Sequence, residues 1–135
     1  MSTVTERVAA GAVFLDEHDP EWWRADVERA IDLDRLNLGE GDSCILGQRC
    51  PISVLAAFVG TAPDAVEDDD RDLSFAAMAA RFGAPVRQNG YFTDEWGESL
   101  GLQATLGPAG LRDRDDYGDL TAEWKRIITE RRCAA

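Results

Sequence analysis

The chain has 135 residues, 44% of them hydrophobic, and its 26 acids outnumber 14 bases to give a net charge of −12. That length fits one domain, residues 1–135, able to enclose a core, and the apolar share excludes an intrinsically disordered chain. The charge repels nucleic-acid backbones and anionic membranes, and it favours a partner with a basic face.

Residues 3–17 read as a helix. Thr3 and Glu6 have capping-box spacing, and Val4, Val8, Gly11, Ala12 and Leu15 fall on one face. Glycine inside a helix costs roughly 1 kcal/mol relative to alanine. Gly11 therefore predicts the close approach of a backbone or a large ring, with a tryptophan of the next helix as the natural candidate. Asp19-Pro20-Glu21 has the chemistry of a second helix start, and Trp23, Val27, Ala30 and Ile31 follow as an inward stripe. Trp22 and Trp23 lie about 100° apart around such a helix. Trp23 is expected in the core and Trp22 wedged against the first helix.

The period changes at Ile31, Leu33, Leu36 and Leu38, which fits a short strand or a tight turn and an extended piece. After a loop at residues 39–42, the short apolar run 45–48 precedes a helix opened by Cys50-Pro51. That helix carries Ile52, Leu55, Ala56 and Val59 on one face and ends at Gly60. Residues 61–72 read as an acidic surface connection, and a helix over 74–82 follows, with Phe75, Met78, Ala79 and Phe82 inward. Asn89-Gly90 is a hairpin turn signal. Thr93 caps a short helix through Leu100, and residues 101–118 are rich in turns. A final helix after Asp119 carries Leu120, Trp124, Ile127 and Ile128 inward, with arginines near its end.

The expectation is a mainly α, single compact domain of five or six short helices, with room for a small β-hairpin near 86–92. Its core should include Val8, Leu15, Trp23, Val27, Ile31, Leu33, Leu36, Leu46, Leu55, Phe82, Trp96, Trp124 and Ile128.

Three cysteines, Cys44, Cys50 and Cys133, are too few for a disulfide framework. Cys44 and Cys50 have no second Cys/His pair with zinc-site spacing, and His18 is the single histidine. The acidic loop from Asp113 has Trp124 where a calcium loop needs its closing glutamate, and the 68–72 run has Leu73 where glycine belongs. No metal or cofactor is expected. A Cys44–His18 or Cys50–His18 pair is the one nucleophile–base pairing available, so a cysteine-dependent enzyme ranks third among the readings. Paired carboxylates such as Glu95 and Glu98 read as surface acids at this net charge. No run approaches the roughly 20 apolar residues of a membrane span. The N-terminal MSTVTERVAAG lacks the pattern of a secretory signal. A soluble cytoplasmic protein is expected.

The acids gather at Asp64, Glu67, Asp68, Asp69, Asp70 and Asp72, and again at Asp113, Asp115 and Asp116. These nine residues are the candidate partner-binding surface, facing a basic protein and not nucleic acid or membrane. The alternative is mimicry of a nucleic acid, which needs acids along one extended face.

Several stretches taken together resemble a family. They are Glu6-Arg7-Val8-Ala9-Ala10-Gly11, Phe14-Leu15-Asp16, Pro20-Glu21-Trp22-Trp23, Ile31-Asp32-Leu33-Asp34, Leu36-Asn37-Leu38 and Cys44-Ile45-Leu46-Gly47-Gln48, with Leu120-Thr121-x-x-Trp124 near the end. In this order they resemble the small uncharacterised acidic proteins of actinobacterial, mycobacteriophage-like phages and their prophages. The resemblance covers the first 48 residues and, more loosely, the last fifteen. Family members often carry a second cysteine where this chain has Asp42, which favours a structural Cys44. The resemblance implies no activity. It implies a context, a phage protein acting inside a bacterial cell. Combined with the acidic surface, the expectation is a non-enzymatic phage accessory protein in the cytoplasm of the infected host, where it binds a host or phage protein.

Overall fold

The computed structural model describes residues 3–40, 42–84, 94–103 and 114–134, and these are mainly helical, with no strand among them. Among the described residues there are six α-helices, α1 (Val4–His18), α2 (Ile45–Arg49), α3 (Ile52–Val59), α4 (Ser74–Arg81), α5 (Asp94–Ser99) and α6 (Arg114–Ala134). Two 3-10 segments, Pro63–Ala65 and Asp68–Leu73, lie between α3 and α4. The hairpin expected near 86–92 and the cap at Thr93 lie outside the described residues.

The helices form two groups. In the first, α1 packs on α6 and α5; in the second, α2 and α3 pack on α4 and are bordered by the 3-10 segments. One buried cluster runs through both, from Val8, Leu15 and Trp124 to Leu46, Leu55 and Met78. The capping box at the start of α1 forms as expected, with the Glu6 amide donating to Thr3 Oγ1 at 3.1 Å. Gly11 is also in close contact: a β-carbon there would overlap the Leu100 carbonyl and come within 2.8 Å of the Trp124 ring. The ring comes from the last helix and not from the next segment.

Residues 19–32 differ most from the sequence-based expectation. No helix follows Pro20. The chain turns instead, through the Trp22 amide on the Asp19 carbonyl and the Arg24 amide on the Glu21 carbonyl. Carbonyls that a helix would use are bonded by distant arginines. Arg132 donates to the Trp23 and Ile31 carbonyls at 2.9 and 2.8 Å, and Arg49 donates to those of Glu28 and Arg29. Backbone that leaves solvent without regular structure must find such partners, and at Trp23 and Ile31 a long side chain supplies them. The buried Gln48 amide holds the next stretch, accepting from the Asp32 amide at 2.7 Å and donating to the Asp32 and Ser43 carbonyls. At residues 33–35 the chain makes the tight turn, with the Arg35 amide on the Asp32 carbonyl.

Without a helix at this point, Trp22 and not Trp23 enters the core, while Trp22 lies against the first helix as expected. Trp22 is fully buried, meets Trp124 edge to face at 5.4 Å and donates from Nε1 to Asp16 of α1 at 3.0 Å. Trp23 is half-buried beside the core. Val27, Leu33, Phe82 and Trp96 are likewise half-buried, and Ile52 is among the exposed hydrophobic residues. The last helix starts at Arg114, before the expected Asp119, because Asp115 and Asp116 suit the positive end of a helix and continue its turn. Leu120, Trp124 and Ile128 are fully buried, as their spacing requires.

Arg7 is the least expected inward residue. It is 6% exposed and shares the α1 face that carries Gly11. Its guanidinium donates to both Asp116 carboxylate oxygens at 3.1 Å, to the Glu98 carbonyl at 2.9 Å and to the Gln103 carbonyl at 2.7 Å. One side chain thereby ties α1 to α5 and α6.

Candidate functional site

The acidic segment 64–72 is built on a short helical scaffold. Asp68–Leu73 is a 3-10 helix that runs directly into α4, so its acids lie at the N-terminal end of a longer helical stretch, where the dipole favours them. Asp70 serves the fold, since its carboxylate accepts from the Glu67 amide at 3.0 Å and its side chain is half-buried. Asp64, Glu67, Asp68, Asp69 and Asp72 are exposed. The segment's one arginine, Arg71, reaches Asp68 at 3.8 Å through solvent-exposed side chains. An exposed pair at that distance contributes roughly 0–1 kcal/mol and leaves most of the charge unneutralised.

The second acidic group divides. Asp115 is exposed on the first turn of α6. Asp116 is held by Arg7, with its side chain 13% exposed, and Asp113 lies outside the described residues. The two groups also belong to different parts of the fold. The Asp68–Leu73 helix packs on α2, α3 and α4, whereas α6 packs on α1.

The thiols are placed for packing. Cys44 is 1% exposed and caps α2 by accepting the Gly47 amide on Sγ at 3.2 Å; burial pushes its pKa up to about 12. Cys50 is 3% exposed, and burial pushes it up to about 11 against the opposing pull of Arg29 and Arg81. Thiols so shifted carry little thiolate at neutral pH. His18 stacks on Phe14 with ring centres 4.2 Å apart and borders a small hollow of about 120 Å³ that neither cysteine lines. Among the described residues, no group of three His, Cys, Asp or Glu side chains is arranged to hold a metal ion. No described helix is long and apolar enough to cross a membrane.

Sequence reasoning missed a gathering of cations. Arg35, Arg49 and Arg71 are close enough to Arg29 to help pull its pKa down, after partial burial of its own side chain, and Arg81 acts with Arg29 on Cys50. These positions, 29, 35, 49, 71 and 81, are scattered in sequence, so no local pattern announces the cluster. Arg49 is neutralised by Asp19 in a two-pronged pair at 2.8 Å. Among the described residues, Arg29, Arg35 and Arg81 have no carboxylate within ion-pair distance.

Compared with family models, with curated proteins and with solved structures, this chain matches none.

Proposed function

We propose that this protein is a non-enzymatic accessory protein of an actinobacterial phage, acting in the host cytoplasm by docking on a basic face of a host or phage protein. The observation that carries this reading is the 64–72 segment, with six carboxylates against one arginine and five of those acids exposed. Capping uses two acids, Glu67 and Asp70, and the helix dipole stabilises charge in only the first turn. The remaining repulsion is a cost to the free protein that a basic partner relieves. The raised pKa values of Cys44 and Cys50 weigh against a thiolate enzyme. Mimicry of a nucleic acid is the weaker reading, because Arg7 already occupies Asp116 and shortens the second acidic group.

The test is affinity capture from an actinobacterial lysate at low and high salt, using the wild-type chain and the triple variant D68N/D69N/D72N. The reading expects a specific protein on the wild type that the variant does not hold. Release over a narrow salt range, with a nucleic-acid-binding protein as the captured partner, would transfer support to mimicry. Capture of the same protein by both chains, or of none, would overturn the reading.

A further inference from the structure

A second surface, away from the acidic segment in sequence, has the construction of a small-molecule site. The turn segment 21–29, Arg49 and the start of α3 border an open cleft of about 620 Å³. That size falls within the range of small-ligand pockets, roughly 300–1,000 Å³. Its apolar walls are Val27, Pro51 and Ile52, and Ile52 is 37% exposed. Its polar groups are Glu21, Glu28, Arg29 and Arg49.

These four are not equivalent. Arg49 is consumed by Asp19 and by the Glu28 and Arg29 carbonyls. Arg29 is not consumed. Its Nε donates to the Gln48 carbonyl at 3.1 Å, which fixes the guanidinium plane and leaves both terminal nitrogens without a protein acceptor among the described residues. Arg29 also has φ of 58°, the one positive value for a non-glycine residue among the described residues. Such a conformation is disfavoured for a side chain of this size and persists where surrounding contacts impose it. Here Arg49 bonds the carbonyls on both sides of the turn, and the buried Gln48 anchors the acceptor of Nε. The result is a preset fork of two donors, which matches the two oxygens of a carboxylate.

Glu21 and Glu28 decide the rest of the ligand's chemistry. Both are exposed, and neither side chain makes an ion pair or hydrogen bond among the described residues. The cleft therefore carries both signs of charge around an apolar wall, with the charge of Glu21 also acting on Arg24. A dianionic phosphate would gain Arg29 and the field of the neighbouring arginines, but it would be repelled by Glu21 and Glu28 and would leave both carboxylates and the apolar wall without a partner. A molecule with a carboxylate, an ammonium group and an apolar body satisfies every group. We infer that this cleft binds a small zwitterion of the amino-acid or short-peptide class, with its carboxylate on Arg29, its ammonium on Glu21 or Glu28, and its apolar side chain against Val27, Pro51 and Ile52.

The test is titration of the full chain, followed through its backbone amide NMR signals, with L-leucine and with L-leucyl-L-leucine. N-acetyl-L-leucine removes the ammonium, L-leucinamide removes the carboxylate, and inorganic phosphate supplies an anion alone. The expected result is saturable shifts at Val27, Arg29 and Ile52 for at least one zwitterion. Affinity should fall at least tenfold for each blocked analogue and for phosphate. Arg29→Gln should weaken the zwitterion at least tenfold. Because that substitution alters a constrained turn, Glu28→Gln serves as a second variant together with E21Q/E28Q. The double variant should erase the preference for leucine over N-acetyl-leucine without weakening the latter. Absence of saturation for both zwitterions overturns the inference. So does phosphate or a blocked analogue binding as tightly as the zwitterions, or an undiminished leucine preference in the double glutamate variant.

Discussion

The Trp124 ring stands 2.8 Å from the place where a β-carbon on Gly11 would be, and the Leu100 carbonyl fills the space beside it. Three parts of the chain meet at that point, and a hydrogen atom is all that fits between them. Gly11→Ala should therefore destabilise the protein by about 2 kcal/mol, because overpacking against backbone outweighs the roughly 1 kcal/mol of helix propensity gained. Gly118 in α6 is the control: nothing lies within 4 Å of a β-carbon there. Gly118→Ala should stabilise by roughly 0.5–1 kcal/mol. Urea unfolding of the two variants would check the opposite signs.

The Arg7–Asp116 pair should be among the costliest single sites to disturb. Arg7→Met removes four hydrogen bonds that join α1 to α5 and α6. Breaking a buried pair from one side typically costs about 3–5 kcal/mol. Asp116→Asn should cost less, about 1–2 kcal/mol, because Arg7 keeps the Glu98 and Gln103 carbonyls. The double variant should lose less than the sum of the singles, measured by thermal or urea unfolding.

Local pattern made α1, α3, α4 and α6 legible, because their stabilising information lies in caps and in apolar residues at helical spacing. The Gly11 contact was legible for the same reason, since an interior glycine has a cost that packing must explain. Although the tight turn that follows them was among the readings, residues 19–32 were not legible. Their shape depends on Arg49, Arg132 and Gln48 bonding backbone groups between 16 and 109 positions away, and such side-chain-to-backbone links leave no periodic trace. Arg7 reads as surface charge because its acceptors are two carbonyls and an aspartate about a hundred residues on. The acidic segment 64–72 was plain in sequence, whereas the cleft around Arg29 exists only once the 21–29 turn is folded against Arg49 and the start of α3.

Asp16 links pH to the docking of the C-terminal helix. Its carboxylate accepts from Arg131 and from Trp22, and Arg131 also lies 5.1 Å above the Trp22 ring. The hydrogen bond from Arg131 holds the Asp16 pKa below its ordinary value near 3.8, against the effect of burial. A carboxyl with a depressed folded pKa contributes full stability above about pH 4, and that contribution is lost as pH falls through the folded value. Solvent reaches both side chains, at 31% for Arg131 and 43% for Asp16, so the screened effect should be a few tenths to about 1 kcal/mol. NMR titration should show Asp16 ionising at a higher pH in Arg131→Met than in the wild type. Asp16→Asn should flatten the acid limb of the stability profile.

Thiol chemistry should separate the three cysteines cleanly. Cys133 is exposed near the end of α6, whereas Cys44 and Cys50 are buried and shifted to about 12 and about 11. A chromogenic disulfide reagent at pH 7.5 should label one thiol per folded chain quickly, and all three in denaturant. Cys44→Ser and Cys50→Ala should retain binding of the captured partner, measured with the purified proteins.

Docking through the exposed acids of 64–72 has a decisive readout in solution. It is the affinity of the captured partner, purified, for the wild-type chain and for D68N/D69N/D72N, at salt concentrations from about 50 to about 300 mM. Over this range the screening length shortens from about 14 to about 6 Å. Binding by the variant should be at least tenfold weaker at low salt, with unfolding midpoints alike. Its salt dependence should also be shallower. Equal affinity of the two chains across the salt range would contradict docking through these acids.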